Sequence, residues 1–290
     1  MRTETLSVEE RAGQKPVVRV EDLRVSLKKR HKQTELVKEV SFEVYPGECL
    51  GILGESGSGK SMSVKAMLGI LDKNFEVSGN AWFEEKNLIK ESKETLRSIR
   101  GSKIAVVLQN PMTCFDPLYR IGNQMAETFA THTDWKKEEI FRRSVEILER
   151  MKIRNPEEVL AKYPHQLSGG MLQRIMIGIA MALKPALLIA DEPTTAIDAI
   201  TQHEILEEFI RIKQEHQTAM IFITHDLGAI SRVADRLIVM NSGEVVDRGD
   251  FQHILHHASD SYTRLLVEKR AEVMKKYRES IHGHQEVCHD

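Results

Sequence analysis

The chain has 290 residues, of which 41% are apolar and 29% charged, and its formal net charge is −2. That length buries one sizeable core, with room for an inserted or appended subdomain, and the composition is that of a globular protein. So small a net charge sets up no strong field towards nucleic acid or anionic lipid, and no nucleic-acid partner is expected. Cys49, Cys114 and Cys288 are scattered and odd in number. They form neither a disulfide framework nor a zinc-site spacing, which points to a reducing cytosol. Residues 1–16 are polar, lack the apolar centre of a signal peptide and read as a disordered leader. The longest apolar run, Ile175–Leu183, has nine residues, against the roughly 18 to 20 that span a bilayer. Membrane association would have to come through a partner.

In chain order, Val17–Leu27 and Val40–Tyr45 alternate apolar and polar residues as half-buried strands do, with a basic hairpin tip at Lys28–Lys32 between them. Pro46-Gly47 turns into a short apolar strand, Cys49–Leu53, and Ser61–Leu71 follows as a helix. Val77–Glu84 and Ile104–Leu108 read as further strands. From Pro111 to about Leu167 the pattern is helical. Phe141, Val145 and Leu148 fall at i, i+4 and i+7 and predict one buried stripe. Asn155 and Pro156 predict a helix start with Asn as N-cap and Pro at N1. The α/β pattern then resumes with a helix over about 170–183, a strand at Ala186–Ala190, a helix over 198–216, a strand at Ala219–Ile223 and a helix over 226–234. Arg236–Met240 and Glu244–Asp247 flank the hairpin signal Asn241-Ser242-Gly243. From Phe251 the chain is helical and increasingly charged.

Three motifs carry chemistry. Gly54-Glu55-Ser56-Gly57-Ser58-Gly59-Lys60-Ser61 matches G-x-x-x-x-G-K-[ST] between a strand and a helix. Its glycines let successive backbone N–H groups cradle phosphate oxygens, and the helix that follows points its positive end at the same anion. Lys60 is placed for the β- and γ-phosphates and the Ser61 hydroxyl for Mg²⁺. Second, the apolar strand Leu187–Ala190 delivers Asp191 to the Mg²⁺ and Glu192 to the attacking water, since two acids ending a buried strand are costly unless they serve a metal or a substrate. Third, Leu167-Ser168-Gly169-Gly170 opens a helix with a hydroxyl and two glycines, a second anion site. One chain has no use for two cradles on one nucleotide. The economical arrangement is a head-to-tail dimer in which Ser168, Gly169 and Gly170 close on the γ-phosphate held by the partner's loop.

With these motifs in this order, the sequence resembles the ATP-binding cassette (ABC) family from about Val17 to Asp250. The resemblance implies a P-loop NTPase α/β core, a RecA-like mixed sheet flanked by helices, with an antiparallel β subdomain and an inserted helical subdomain at about 111–169. Residues 251–290 would be a C-terminal helical extension and tail. It implies ATP hydrolysis with Mg²⁺. Gln109 would be a glutamine that reaches the metal and water and senses the transmembrane partner, joining Ser61 and Asp191 at the Mg²⁺. Asp198, in Thr195-Ala196-Ile197-Asp198, would communicate across the dimer, and His225, in Ile223-Thr224-His225-Asp226, would contact the γ-phosphate and steady Glu192. The family's adenine-stacking aromatic is matched by Leu27, a departure that leaves the adenine platform unassigned, with His31 or mainly apolar contact as the alternatives.

Tyr163-Pro164-His165-Gln166, Asp191-Glu192-Pro193-Thr194-Thr195, Gln109-Asn110-Pro111, Phe115-Asp116-Pro117 and Ser261-Tyr262-Thr263 with Leu265-Leu266 resemble the importers of peptides, nickel and metal-chelating opines. Gly170-Met171-Leu172-Gln173-Arg174 and the short tail are more similar to the nickel and opine-metallophore members than to the peptide importers. The implied partners are a second, sibling ATPase subunit, two transmembrane permease subunits and, indirectly, an extracytoplasmic substrate-binding protein. The implied location is the cytoplasmic face of the membrane. Soluble ABC ATPases of translation, DNA repair or cofactor assembly and a P-loop small-molecule kinase are the rival classes. Translation-type members usually carry two cassettes per chain and repair-type members a long coiled-coil insertion, neither of which appears here, and the kinase has no use for Leu167–Gly170. The tail residues His282, His284, Cys288 and His289 match no standard metal spacing.

Overall fold

The structure is a computed structural model that describes residues 14–29, 32–195 and 197–269, with the backbone alone for residues 29, 32 and 199. His31 and the tail histidines lie outside the described residues. Two sheets organise the chain. Strands β1 (Val18–Lys29), β2 (Lys32–Val44), β4 (Phe75–Phe83) and β5 (Lys86–Asn87) form an antiparallel sheet in the order β2-β1-β4-β5. Strands β3 (Cys49–Leu53), β6 (Ile104–Val107), β7 (Leu187–Asp191), β8 (Ala219–Thr224), β9 (Arg236–Asn241) and β10 (Glu244–Gly249) form the second, in the order β10-β9-β3-β8-β7-β6. In that sheet β6, β7, β8, β3 and β9 run parallel and β10 returns antiparallel to β9 through the turn predicted at residues 241–243. The mixed sheet, the separate antiparallel sheet and the helices between β6 and β7 are the fold class that the family resemblance implies.

Every residue of β3, β7 and β8 is buried, as a central parallel strand covered on both faces must be. On one side Leu50, Ile52, Ile189, Ile221 and Ile223 pack on the antiparallel sheet and on α1 (Lys60–Met67). On the other, Leu188, Ala190, Met220 and Phe222 pack on α6 (Gly169–Ala182) and α7 (Ala199–His216). The cluster continues through α3 (Ile121–His132), α4 (Lys137–Arg150) and α5 (Pro156–Leu160), where Met125, Phe129, Leu148 and Leu160 are buried. The remaining α-helices of the described residues are α2 (Lys93–Ile99), α8 (Leu227–Val233), α9 (Phe251–His256) and α10 (residues 261–269).

Two local expectations are corrected. The buried face of α4 is Ile140, Ser144 and Leu148, at i, i+4 and i+8, and Phe141 is 53% exposed. Ser144 can occupy that face because its hydroxyl is spent on the Ile140 carbonyl at 2.7 Å, leaving no unmet polar group. Asn155 does stand at the N-cap of α5 with Pro156 at N1, but in a left-handed conformation (φ 52°) and without a side-chain cap bond. Its amide donates instead to Glu158 at 3.4 Å.

Candidate functional site

The parallel register brings the chemical residues to one edge. Leu53 of β3 is level with Thr224 of β8, and Asp191 of β7 with Ile223. The loops that leave the carboxyl ends of β3, β7, β8 and β6 therefore begin side by side, and they carry Gly54–Ser61, Glu192, His225 and Gln109 respectively. This is where open α/β sheets place their ligands.

The Gly54–Ser61 loop is held as a cradle. Gly57 (φ 84°) and Gly59 (φ 103°) take left-handed conformations closed to most side chains, and a Cβ on Gly57 would meet nothing within 4 Å. Gly59 caps α1 without a side chain, so the first amides of that helix keep their outward direction. The Ser58 hydroxyl is buried with no partner among the described residues. Lys60, only 5% exposed, donates to the carbonyls of Gly54 at 2.8 Å and Glu55 at 2.9 Å. Burial lowers its pKa, and the charges of Glu192, Asp191 and Glu55 act in the opposite direction. A cation desolvated in this way and facing an anion cradle gains most from a phosphate.

Ser61 donates its hydroxyl to Asp191 Oδ1 at 2.7 Å, and Asp191 is 5% exposed. Burial raises the Asp191 carboxyl above its ordinary value against the lowering effect of the Ser61 hydrogen bond. Hydroxyl and carboxylate oxygens so placed suit a hard cation that takes its remaining ligands from water and substrate phosphates, which is the habit of Mg²⁺. No cluster of three or more His, Cys, Asp or Glu able to hold a metal occurs among the described residues, so a preformed all-protein metal cage is not what these residues build.

Glu192 follows directly, with a left-handed backbone (φ 48°) pinned by its N–H to the Ile223 carbonyl at 2.9 Å. Its Oε2 accepts from Gln109 Nε2 at 2.9 Å and from Thr195 Oγ1 at 3.1 Å, and its Oε1 stands 3.3 Å from His225 Nδ1. Non-glycine residues rarely hold such a backbone, and they do so mostly where function constrains them. Gln109 thus reaches Glu192 rather than the Ser61–Asp191 pair. Thr195 was not singled out by the sequence, where it stands only as part of a family signature.

Two of the remaining motif residues, Ser168 and Asp198, serve as helix caps. Ser168 accepts from the Met171 amide at 3.2 Å, and Asp198 from the Thr201 amide at 3.0 Å. That backbone bond, with the Thr201 side chain, lowers the Asp198 pKa. A Cβ at Gly169 or Gly170 would find nothing within 4 Å, so the α6 N-terminus is an open face. Gln173, 1% exposed, ties α6 to the loop after Glu192 through the Pro193 carbonyl at 2.9 Å. Leu27 is half-buried on β1 opposite Thr34 and Phe75.

These strands, this loop and these carboxylates define a P-loop nucleotide-binding cassette. A family model described as ABC transporter matches residues 37–195. The metal-staphylopine import system ATP-binding protein CntD of Staphylococcus aureus is 42% identical over 86% of this chain and 92% of its own length. The oligopeptide transport ATP-binding protein OppD of Haemophilus influenzae is 39% identical over 87% of this chain and 78% of its own. Among solved structures, a dimeric post-hydrolysis ATP-binding cassette bound to ADP and Pi superposes with a TM-score of 0.74 at 24% identity, covering 81% of this chain and 98% of that one. The chain belongs to the ABC transporter family and is an ATP-hydrolysing transport ATPase. Among the described residues no helix is long and apolar enough to cross a membrane.

Proposed function

We propose that this chain powers an ABC importer whose cargo is nickel or a metal held by an opine-type chelator. The observation that carries the cargo is the 42% identity to the metal-staphylopine importer subunit over 92% of its length. Peptide import is the second reading, favoured by the OppD relative at 39% identity.

In this reading the amides of Gly57 to Ser61 and the start of α1 bind the phosphates of ATP. Lys60 leaves the Gly54 and Glu55 carbonyls for the β- and γ-phosphates, and the desolvation that lowers its pKa favours that exchange. Ser61 and Asp191 would hold Mg²⁺, which supplies charge neutralisation on the transferring phosphoryl group. Glu192 takes the proton of the attacking water, and Gln109, Thr195 and His225 hold its carboxylate in place. The open face of Ser168–Gly170, with Asp198, is assigned to the nucleotide of a sibling subunit, so that ATP bound between two cassettes closes them. A ligand drives such a change only through its different affinity for the two states. Gln109 links the site to the helices after it, which are assigned to two permease subunits at the cytoplasmic face of the membrane. An extracytoplasmic binding protein then delivers the cargo.

The test is a deletion strain carrying the chain or its Lys60→Ala variant, assayed for accumulation of chelated nickel and zinc and of a labelled dipeptide. Loss of metal uptake with intact peptide uptake is expected. The reverse pattern overturns the metal reading in favour of peptides. Recovery of the chain from detergent-solubilised membranes without any permease subunit overturns both.

A further inference from the structure

The phosphate loop is held from outside the cassette motifs. Helix α10 packs against β3, α8 and β9 through buried Leu266 and Val267, which share a cluster with Leu53, Ile230, Leu237 and Val239. Its start is fixed to β10, where Asp247, 6% exposed, accepts from Ser259 Oγ at 3.0 Å and from the Asp260 amide at 3.1 Å. Tyr262 follows, its own amide bound to Asp260 Oδ1 at 2.8 Å, and its ring packs on the Leu53 cluster. This double anchoring delivers the Tyr262 hydroxyl to the backbone N–H of Glu55, 2.9 Å away and 207 residues earlier in the chain.

Glu55 is the pivot of the loop. Its carbonyl accepts from Lys60 Nζ at 2.9 Å and from the Ser58 amide at 3.2 Å, and its N–H is the group that Tyr262 takes. When Lys60 turns to phosphate, the Glu55 carbonyl loses its ammonium partner, and the loop is then held at this residue by the Ser58 turn and by Tyr262. We propose that Tyr262 is a positioning residue for nucleotide binding, through which the C-terminal helix α10 holds the phosphate loop in its ligand-ready shape. The inference rests on Gly54–Ser61 being the phosphate cradle. It assigns the C-terminal segment a part in ATP affinity, although Tyr262 lies well beyond the residues 37–195 that match the family model. Preorganisation of this kind stabilises the bound ground state and the transition state alike, so it belongs in KM and Kd rather than in kcat.

The experiment uses Tyr262→Phe in the full chain, which removes the hydroxyl and keeps the ring in its cluster. MgATP affinity is read by displacement of trinitrophenyl-ATP, beside ATP turnover and the thermal midpoint. The Kd and KM for ATP should rise roughly threefold to tenfold, the worth of one hydrogen bond, with kcat changing by less than about twofold. An unchanged Kd, in a preparation where Lys60→Ala does weaken binding, overturns the role of Tyr262 and leaves the cradle standing. An unchanged Kd in both variants removes the cradle reading itself. A kcat that falls as far as KM rises, together with a lowered thermal midpoint, shows a merely structural contact and also overturns the proposal. Should the variant not fold, amide exchange of the unmodified chain decides. Glu55 should exchange at least about tenfold slower than an unbonded amide, and exchange at the unbonded rate overturns the proposal.

Discussion

Replacing Glu192 by Gln separates chemistry from binding. The carboxylate is 12% exposed and has three neighbours: Gln109 and Thr195 on one oxygen, His225 on the other. Glutamine has the same volume, and its oxygen can still accept from Gln109 and Thr195 while its amide donates to His225 Nδ1 in the neutral tautomer. The backbone cost of φ 48° is common to both residues. Neither the fold nor the phosphate cradle is therefore disturbed. What is lost is the ability to take a proton from water. General-base catalysis contributes about 10²- to 10⁴-fold, so kcat should fall by that factor, roughly 3 to 5 kcal/mol on the barrier. Single-turnover hydrolysis of radiolabelled ATP measures the fall, and an equilibrium titration should show a Kd within about threefold of the unmodified chain. Turnover within tenfold of normal would refute the assignment of Glu192 as base.

Two further outcomes concern the scaffold. Lys213, on α7, donates to both oxygens of Asp235 at 2.9 Å, and Asp235 also accepts from the Cys49 amide at 2.7 Å; the two side chains are 11% and 19% exposed. Lys213→Met strands a desolvated carboxylate and should cost about 3 kcal/mol in urea denaturation, part of which Asp235→Asn in the same chain restores; a loss below about 1 kcal/mol would contradict the pairing. Cys49 is fully buried and its thiol is pushed far above the ordinary value, mainly by burial, whereas Cys114 is exposed. Iodoacetamide on the folded chain followed by peptide mass spectrometry should modify Cys114 and spare Cys49, and equal labelling would show that β3 is not buried as described.

What was legible in the sequence was local. A phosphate loop is a run of adjacent residues whose glycines serve turns inside the run, and a buried strand ending in Asp191-Glu192 announces itself by composition. The strand order was not local, since β3 lies between β8 and β9 from the far end of the chain and helices α3 to α6 separate β6 from β7, and the gathering of Gln109, Glu192 and His225 follows from that order. Side-chain placement on an amphipathic helix was less legible. Apolar spacing favoured Phe141, but α4 buries Ile140 and a self-satisfied Ser144 beside the expected Leu148, a choice set by the neighbouring helices α3, α5 and α6 rather than by the spacing. Helix α1 stops at Met67 rather than continuing to Leu71, because Gly69 takes φ 63° and turns the chain. Least legible was Tyr262, since no local pattern encodes a contact with Glu55 across 207 residues.

The capping roles of Ser168 and Asp198 bear on how two chains could share a site. Ser168 and Asp198 are each engaged as N-caps, which at first sight removes them from any role towards a partner. A serine hydroxyl has one donor and two acceptor positions, and capping the Met171 amide uses a single acceptor. Its O–H remains to be given to a phosphate oxygen while the cap stays in place. The same cap holds the Gly169 and Gly170 amides at the positive end of α6, where a Cβ would meet no neighbour and an anion can approach closely. An aspartate that accepts the Thr201 amide and side chain still keeps lone pairs for donors across an interface. On the two-chain reading proposed above, helix capping and the completion of the sibling's nucleotide site are therefore the same arrangement, and docking a γ-phosphate costs neither helix its cap.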